Sequence, residues 1–353
     1  MSSLLTLFHA ILTGLFSSTS NKTATDTLPT TLSFTGQHIL ITGATSGLGL
    51  EAAIHYVNLG AESVLITART LVKGNEAKYE IEKRTGKKDV VSVRVLDMDT
   101  FEGVVGFMRD LRGRGGVRRA DVVLLNAGVH PFSFTLSPNG WEQALQVNVL
   151  STLLLAILMI PWLREIRKPG QKPQHLGFVG SSSHYFPDIS KFSKQDVLQS
   201  RNREENFVSG MSNYAVSKLL FQYGALEVAR LAVGEDGRPS PIINIVCPGM
   251  IRTNIARDFA NKGFFNKLVA MLFMYIRCNP ADVGARSLVL MGITKEEEHG
   301  TFRNPMLTRE EYDVRSKPVL TSPEGKRMQA QAWKEITGVL VHAVPEVGDI
   351  VRL

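Results

Sequence analysis

A short apolar run, His38-Ile39-Leu40-Ile41, passes directly into Thr42-Gly43-Ala44-Thr45-Ser46-Gly47-Leu48-Gly49 and then into a helix-forming stretch from about Leu50 to Leu59. An apolar run of this length bounded by turn residues reads as a buried parallel strand. The glycines allow a tight turn and a close approach of the backbone to a ligand. The helix after them would point its unpaired N–H groups and the positive end of its dipole at a phosphate. A glycine-rich loop alone says little; between a strand and a helix it predicts a dinucleotide-binding turn. It also restricts the fold, because such a unit belongs to parallel sheets covered on both faces by helices.

The chain repeats the strand-then-polar-end pattern. Ser63 to Thr67 reads as a second strand ending in Ala68-Arg69. In dinucleotide folds a carboxylate near this point holds the ribose hydroxyls, whereas an arginine suits a 2′-phosphate. Here Arg69, followed by Lys73 one helical turn on, stands where no Asp or Glu does, which predicts NADP rather than NAD. Val91 to Leu96 makes a third strand closing on Asp97-Met98-Asp99, where Asp97 either accepts from an adenine amino group or caps the helix starting near Thr100. Asp121 to Leu125 leads into Asn126-Ala127-Gly128, small enough for a nucleotide to lie against the backbone. A long helix is expected from Trp141 through Met159, with Asn148 in its apolar stretch; a buried amide needs partners, either backbone or a held water. Leu176 to Val179 delivers Gly180-Ser181-Ser182-Ser183-His184, a polar insertion spans Asp188 to Asn206, and Ile242 to Val246 ends in Cys247-Pro248-Gly249-Met250-Ile251-Arg252-Thr253.

Between these last two strands lies Tyr214-Ala215-Val216-Ser217-Lys218, opening an apolar helical run to Leu231. Residues four apart share a helix face, so the lysine stands one turn from the tyrosine. A phenol keeps its proton to about pH 10. A neighbouring ammonium stabilises the phenolate, which predicts a lowered value at Tyr214 and a role in proton exchange.

These motifs in this order resemble the short-chain dehydrogenase/reductase superfamily, over roughly residues 33–300. The pattern Ala68-Arg69-x-x-x-Lys73-Gly74, the long gap before the tyrosine, His299-Gly300-Thr301 and Gln331-Ala332-Trp333 resemble fungal secondary-metabolite reductases and the retinol-dehydrogenase-like group. The resemblance implies that Gly43, Gly47 and Gly49 form the cofactor loop, with Ser46 and Leu48 touching NADP(H). It implies Arg69 and Lys73 at the 2′-phosphate, Asp97 and Met98 at the adenine, Asn126, Ala127 and Gly128 at the ribose, and Ile251 and Thr253 at the carboxamide. Tyr214 would be the proton donor, with Lys218 lowering its pKa and holding the nicotinamide ribose. Asn148 would keep a relay water, and Ser181, with Ser182 as its rival, would orient the substrate. His184 is expected to be structural. Gly180 departs from the family, which usually has serine there, and is expected to loosen the strand end. The insertion is expected over the substrate mouth.

The expected fold class is thus α/β: a single Rossmann-type doubly wound parallel sheet flanked by helices, with a C-terminal lid or extension. The expected division is an apolar segment and linker over 1–33, a catalytic domain over 34–300, and an extension over 301–353 packed on the same domain. At 353 residues, 44% hydrophobic, the chain suffices for one large domain. Its +7 charge is scattered, which argues against nucleic acid, and two cysteines, Cys247 and Cys278, give neither a disulfide framework nor a metal set. Two apolar segments remain. Leu4 to Phe16 is too short to span a bilayer and reads as an interfacial helix, a docking segment or a signal peptide. Phe259 to Ile276 reads as a core helix, a lid over an apolar substrate, or a membrane contact. The expected protein is a cytoplasmic or membrane-associated NADP(H)-dependent oxidoreductase acting on a carbonyl or secondary alcohol of an apolar small molecule, and this family often forms homo-oligomers. The alternative is a non-catalytic NADP-binding regulatory or scaffold protein on the same fold.

Overall fold

The computed structural model describes residues 27–113, 115–251 and 278–352. Its strands are β1 (His38–Ile41), β2 (Ser63–Ala68), β3 (Val91–Val95), β4 (Val122–Leu125), β5 (His175–Val179), β6 (Ile242–Val246) and β7 (Phe302–Arg303). They form one seven-stranded sheet, ordered β3-β2-β1-β4-β5-β6-β7, and every pairing is parallel. β4 and β6 are buried at every residue, which is why they read as unbroken apolar runs instead of alternating ones. The strand order reverses between β1 and β4, and the crevice outside their carboxyl ends is where such sheets take ligands.

Helices cover both faces: α1 (Gly47–Asn58), α2 (Leu71–Thr85), α3 (Phe101–Arg112), α4 (Thr152–Ile166), the short α5 (Val197–Arg201), α6 (Gly210–Leu231) and α7 (Ala281–Leu290). The expected long helix is present but begins differently. Leu145–Ser151 is a π-helical segment that runs into α4, and that wider turn carries Asn148. Leu145–Ile166 is long and apolar enough to cross a bilayer, but almost all of it is buried within the fold, packed against α3 and α6.

From residue 301 the chain adds β7 and three helices, α8 (Arg309–Leu320), α9 (Pro323–Ala343) and α10 (Val347–Val351). Val319, Met328, Ala332, Ile336, Leu340 and Val347 join the same apolar cluster as Tyr223 and Val228 of α6. The insertion after β5 is tied to this extension. Glu335 of α9 accepts from the backbone N–H groups of Val197 (2.9 Å) and Leu198 (2.7 Å), capping α5. Asn202 then binds the Trp141 loop, accepting from Glu142 N at 2.6 Å and donating to the Gly140 carbonyl at 2.9 Å. The insertion therefore docks on α9 and on that loop. The segments 4–16 and 259–276 lie outside the described residues, as does Thr253.

Candidate active site

The glycine turn after β1 is built for close approach. Gly43 (φ +66°) and Gly47 (φ +58°) hold left-handed backbone that a side chain would strain. A Cβ on Gly43 would lie 2.8 Å from Ala127 Cα, and one on Gly49 would lie 2.5 Å from Asn126 Nδ2. The Asn-Ala-Gly segment is the reason. Asn126 Nδ2 donates to the carbonyls of Thr42 and Gly43, both at 3.0 Å, while Thr42 Oγ1 accepts from Asn126 N (3.0 Å) and Ala127 N (3.1 Å). The Asn126 side chain thus braces the loop, leaving the backbone of Ala127 and Gly128 at the crevice.

The helix caps differ in a telling way. Thr70, Thr100 and Ser209 each cap their helix by accepting a backbone N–H. Ser46, at the start of α1, makes no such bond with its exposed hydroxyl and leaves the first N–H groups of α1 uncapped by its side chain. Leu48 sits beside Gly284 of α7, against which Ile251 also packs; a Cβ on Gly284 would come within 2.3 Å of Ile251 Cδ1. At the end of β2, Arg69 and Lys73 are both exposed, and no carboxylate stands at that strand end. Asp97 is part-buried and accepts from Asp99 N at 3.0 Å; Thr100, not Asp97, caps α3, and Met98 is buried beside it. These features fit a dinucleotide: a cradle only glycine fits, an uncapped helix start for the pyrophosphate, and exposed cations for a further phosphate.

Four polar side chains meet at the carboxyl end of β5. Tyr214 stands in the second turn of α6, and burial pushes its phenol up to about 12, with the Ser181 hydroxyl pulling the other way. The expected lowering by Lys218 is not found: burial dominates, and the hydroxyl of Ser181, not the lysine, is what pulls the phenol down. Lys218 Nζ lies 5.7 Å from the centroid of the Tyr214 ring and donates to the Val179 carbonyl at 3.1 Å. Burial pushes Lys218 itself down to about 8. Asn148 uses both amide hydrogens and one lone pair of its oxygen: Oδ1 accepts from Val129 N (2.8 Å), and Nδ2 donates to the Val129 carbonyl (2.9 Å) and to Ser217 Oγ (3.1 Å). Ser217 in turn donates to the Tyr214 carbonyl at 2.8 Å. Any water Asn148 holds must therefore sit on its backbone carbonyl or the remaining lone pair.

The two rival serines separate. Ser182 Oγ donates to Cys247 Sγ at 3.2 Å and accepts from Asn304 Nδ2 at 2.8 Å. Ser181 Oγ accepts from Ser183 N at 3.2 Å, donates to Ser183 Oγ at 3.1 Å, and is the hydroxyl that acts on Tyr214. Gly180 does not loosen the strand end. A Cβ there would lie 2.7 Å from Ile245 Cγ2 and 3.1 Å from Phe302 Cε2, so glycine admits the Phe302 ring. Several neighbours carry little or no local signal in the sequence. His130 packs edge-on against Tyr214 (centroids 4.7 Å apart), with burial lowering its pKa and neither ring nitrogen in a hydrogen bond of good geometry. Phe302, Asn304 and Tyr312 carry no local mark, and Cys247 shows only as a cysteine at the end of β6. Of these, only His130 had a clue: its place two residues after Asn126-Ala127-Gly128.

Known proteins share this sequence pattern and fold. Residues 37–171 match the short chain dehydrogenase family. The chain is 36% identical to the short-chain dehydrogenase/reductase ffsI of Aspergillus flavipes, covering 90% of each chain. It is 37% identical to the short-chain dehydrogenase/reductase phmF of Phaeosphaeria nodorum, covering 88% of each. The chain belongs to the short-chain dehydrogenase/reductase family. Among solved structures it resembles an uncharacterised protein from Mycobacterium paratuberculosis, with a TM-score of 0.59, 25% identity, and 87% and 94% of the two chains covered. It also resembles a short chain dehydrogenase from Escherichia coli CFT073 complexed with NADPH, with a TM-score of 0.53, 22% identity, and 79% and 100% covered; that likeness shows the fold alone. As a short-chain dehydrogenase/reductase the protein is an oxidoreductase that uses a nicotinamide cofactor on a small molecule. Its fungal kinship and single parallel sheet are as the motifs led one to expect.

Proposed function

We propose that this chain is an NADP(H)-dependent carbonyl reductase or alcohol dehydrogenase acting on an apolar small molecule of fungal secondary metabolism. The observation that carries the reading is the meeting of Tyr214, Ser181 and Lys218 at the end of β5, beside the Gly128 backbone. A Cβ on Gly128 would lie 3.2 Å from Asn148 Oδ1 and 4.0 Å from Lys218 Nζ, so that backbone faces the catalytic groups.

The turn at Gly43, Ser46, Gly47, Leu48 and Gly49 would hold the pyrophosphate. Arg69 and Lys73 would hold the 2′-phosphate, Asp97 and Met98 the adenine, and Ile251 the carboxamide end. The bound nucleotide supplies the hydride. The protein's own part is the proton. A phenol that keeps its proton through neutral pH is the form that can give it to a carbonyl oxygen, which favours reduction. Ser181 donates a second hydrogen bond where negative charge develops on that oxygen. The ammonium of Lys218, one helical turn from Tyr214, stabilises the phenolate left behind.

An apolar substrate is supported by the rim. Phe132, Phe186, Val208, Met211 and Met306 are exposed on the segments after β4, β5 and β7 and at the start of α6. Single exposed apolar residues mean little; several around one crevice suit a greasy ligand. A reducing cytoplasmic setting fits two buried cysteines that are not bridged to each other. The test is a panel of bulky apolar ketones and aldehydes, followed by NADPH absorbance. Turnover of at least one by the wild-type protein, lost in Tyr214→Phe, supports the reading; NADPH binding without turnover of any would favour a non-catalytic member.

A further inference from the structure

We infer that Tyr312, on α8 of the C-terminal extension, is a positioning residue for Ser181 and acts on it through His184. The inference rests on the catalytic reading of Ser181 and Tyr214 above. It makes the extension a working part of the active site, not only an addition to the core.

The contacts run in one line. The Ser181 carbonyl accepts from His184 N at 3.2 Å and lies 2.7 Å from His184 Nδ1. A carbonyl only accepts, so Nδ1 carries the hydrogen and donates to it. The neutral ring then presents a bare Nε2, and the Tyr312 hydroxyl lies 3.1 Å from it and donates. His184 is 0% exposed and Tyr312 6%, so neither bond competes with solvent. Burial holds His184 down at about 4, which keeps the imidazole neutral and this tautomer in place at physiological pH.

Aromatic packing fixes the line sideways. Phe302 stacks on Tyr312 with centroids 4.7 Å apart and planes 13° apart, and meets His184 edge-on at 4.8 Å. Gly180, immediately before Ser181, leaves room for that Phe302 ring. The same stretch of chain, between β7 and α8, supplies Asn304, which donates to Ser182 Oγ. The extension therefore grips both serines, Ser182 by its hydroxyl and Ser181 by its carbonyl. The Ser181 hydroxyl itself bonds Ser183, donating to its Oγ at 3.1 Å and accepting from its N–H at 3.2 Å, and acts on the phenol from that position. A hydroxyl that must share one substrate oxygen with Tyr214 depends on where its backbone is held, and small misplacements cost rate.

Four proteins test this: wild type, Tyr312→Phe, Ser181→Ala and the double variant, each assayed with saturating NADPH and the fastest ketone of the panel. Tyr312→Phe keeps the ring and its stack on Phe302 and removes only the hydroxyl. We expect kcat to fall about tenfold in that variant, while NADPH affinity stays within about twofold. In the Ser181→Ala background, already slowed about a hundredfold, the same change should alter kcat by less than about twofold, because the group it positions is gone. A tenfold loss in both backgrounds would mean a general structural role and overturn the inference, as would a silent Tyr312→Phe. Wild-type turnover in both Ser181→Ala and Tyr214→Phe is a different result: it removes the catalytic reading itself, and the inference with it.

Discussion

The ammonium of Lys218 donates to the carbonyl of Val179, the last residue of β5, at 3.1 Å. The sheet thereby fixes the cation 5.7 Å from the centroid of the Tyr214 ring and close to the Gly128 backbone. This explains why the lysine is buried at all: its Nζ has a backbone acceptor and lies over the Phe221 ring, 5.2 Å from its centroid. It also explains why both groups of the pair move the way burial dictates, the phenol up and the ammonium down.

Tyr214→Phe should lower kcat for carbonyl reduction by at least about a hundredfold, since general acid catalysis contributes on that order. NADPH binding, measured by fluorescence, should change little, because the ring and its contact with His130 remain. Retention of more than about a hundredth of wild-type turnover would mean that another group delivers the proton.

Arg69→Asp probes the choice of cofactor. Arg69 is exposed at the end of β2, where it would meet the 2′-phosphate. Replacing it by a carboxylate exchanges attraction for repulsion, so NADPH affinity should fall by roughly thirtyfold or more while NADH affinity stays within about threefold. Titrations of both nucleotides at low and at physiological salt check this, the gap narrowing as salt screens the exposed charge. Equal losses for both would remove the reason for naming NADP.

His184 sets a pH dependence of stability. Its folded-state value is about 4 against 6.5 for the free side chain, so the unfolded chain binds the proton more readily between those values. Stability contributed by the neutral buried ring is complete above pH 6.5 and is lost as pH falls towards 4, by about 3 kcal/mol in all. Burial also lowers His130, His175 and His299, which act in the same direction. Urea unfolding at pH 7 and pH 4.5 should show the loss, and His184→Gln, which cannot take up the proton, should show a smaller one. An unchanged difference between the two pH values would place the acid sensitivity elsewhere.

Much of the site was legible because its signals are local. Parallel strands buried on both faces read as apolar runs, and the turn at Gly43 and Gly47 needs glycine by its backbone angles. The Tyr214 and Lys218 pair needs only helical spacing. What escaped depends on chain segments far apart. Tyr312 meets His184 across 128 positions, and nothing in either local pattern marks the pair. β7 has two residues, too few for any periodicity. The π segment around Asn148 has the composition of an ordinary apolar helix, and only its register with Val129 and Ser217 distinguishes it. The direction of the Tyr214 shift is not legible for a related reason: a helical spacing reports the neighbouring charge but not the depth of burial.

Gly180→Ser tests whether this departure from the family pattern is a defect or a fit. If the glycine only loosens the strand end, restoring serine should raise stability or activity. The packing argues the reverse. The added Cβ would lie 2.7 Å from Ile245 Cγ2, a central β6 side chain that is fully buried, and 3.1 Å from the Phe302 ring. Neither is the free end of a flexible chain, so β7 must shift, and overpacking of this kind costs about 1–3 kcal/mol. Displacing Phe302 also disturbs the stack on Tyr312, and with it the line that ends on Ser181. Thermal unfolding together with kcat should therefore show both quantities falling in Gly180→Ser, with a second substitution, Phe302→Leu, restoring part of the lost stability by making room. A Gly180→Ser protein as stable and as fast as wild type would mean that β7 yields freely and that Phe302 does not fix the serine's position.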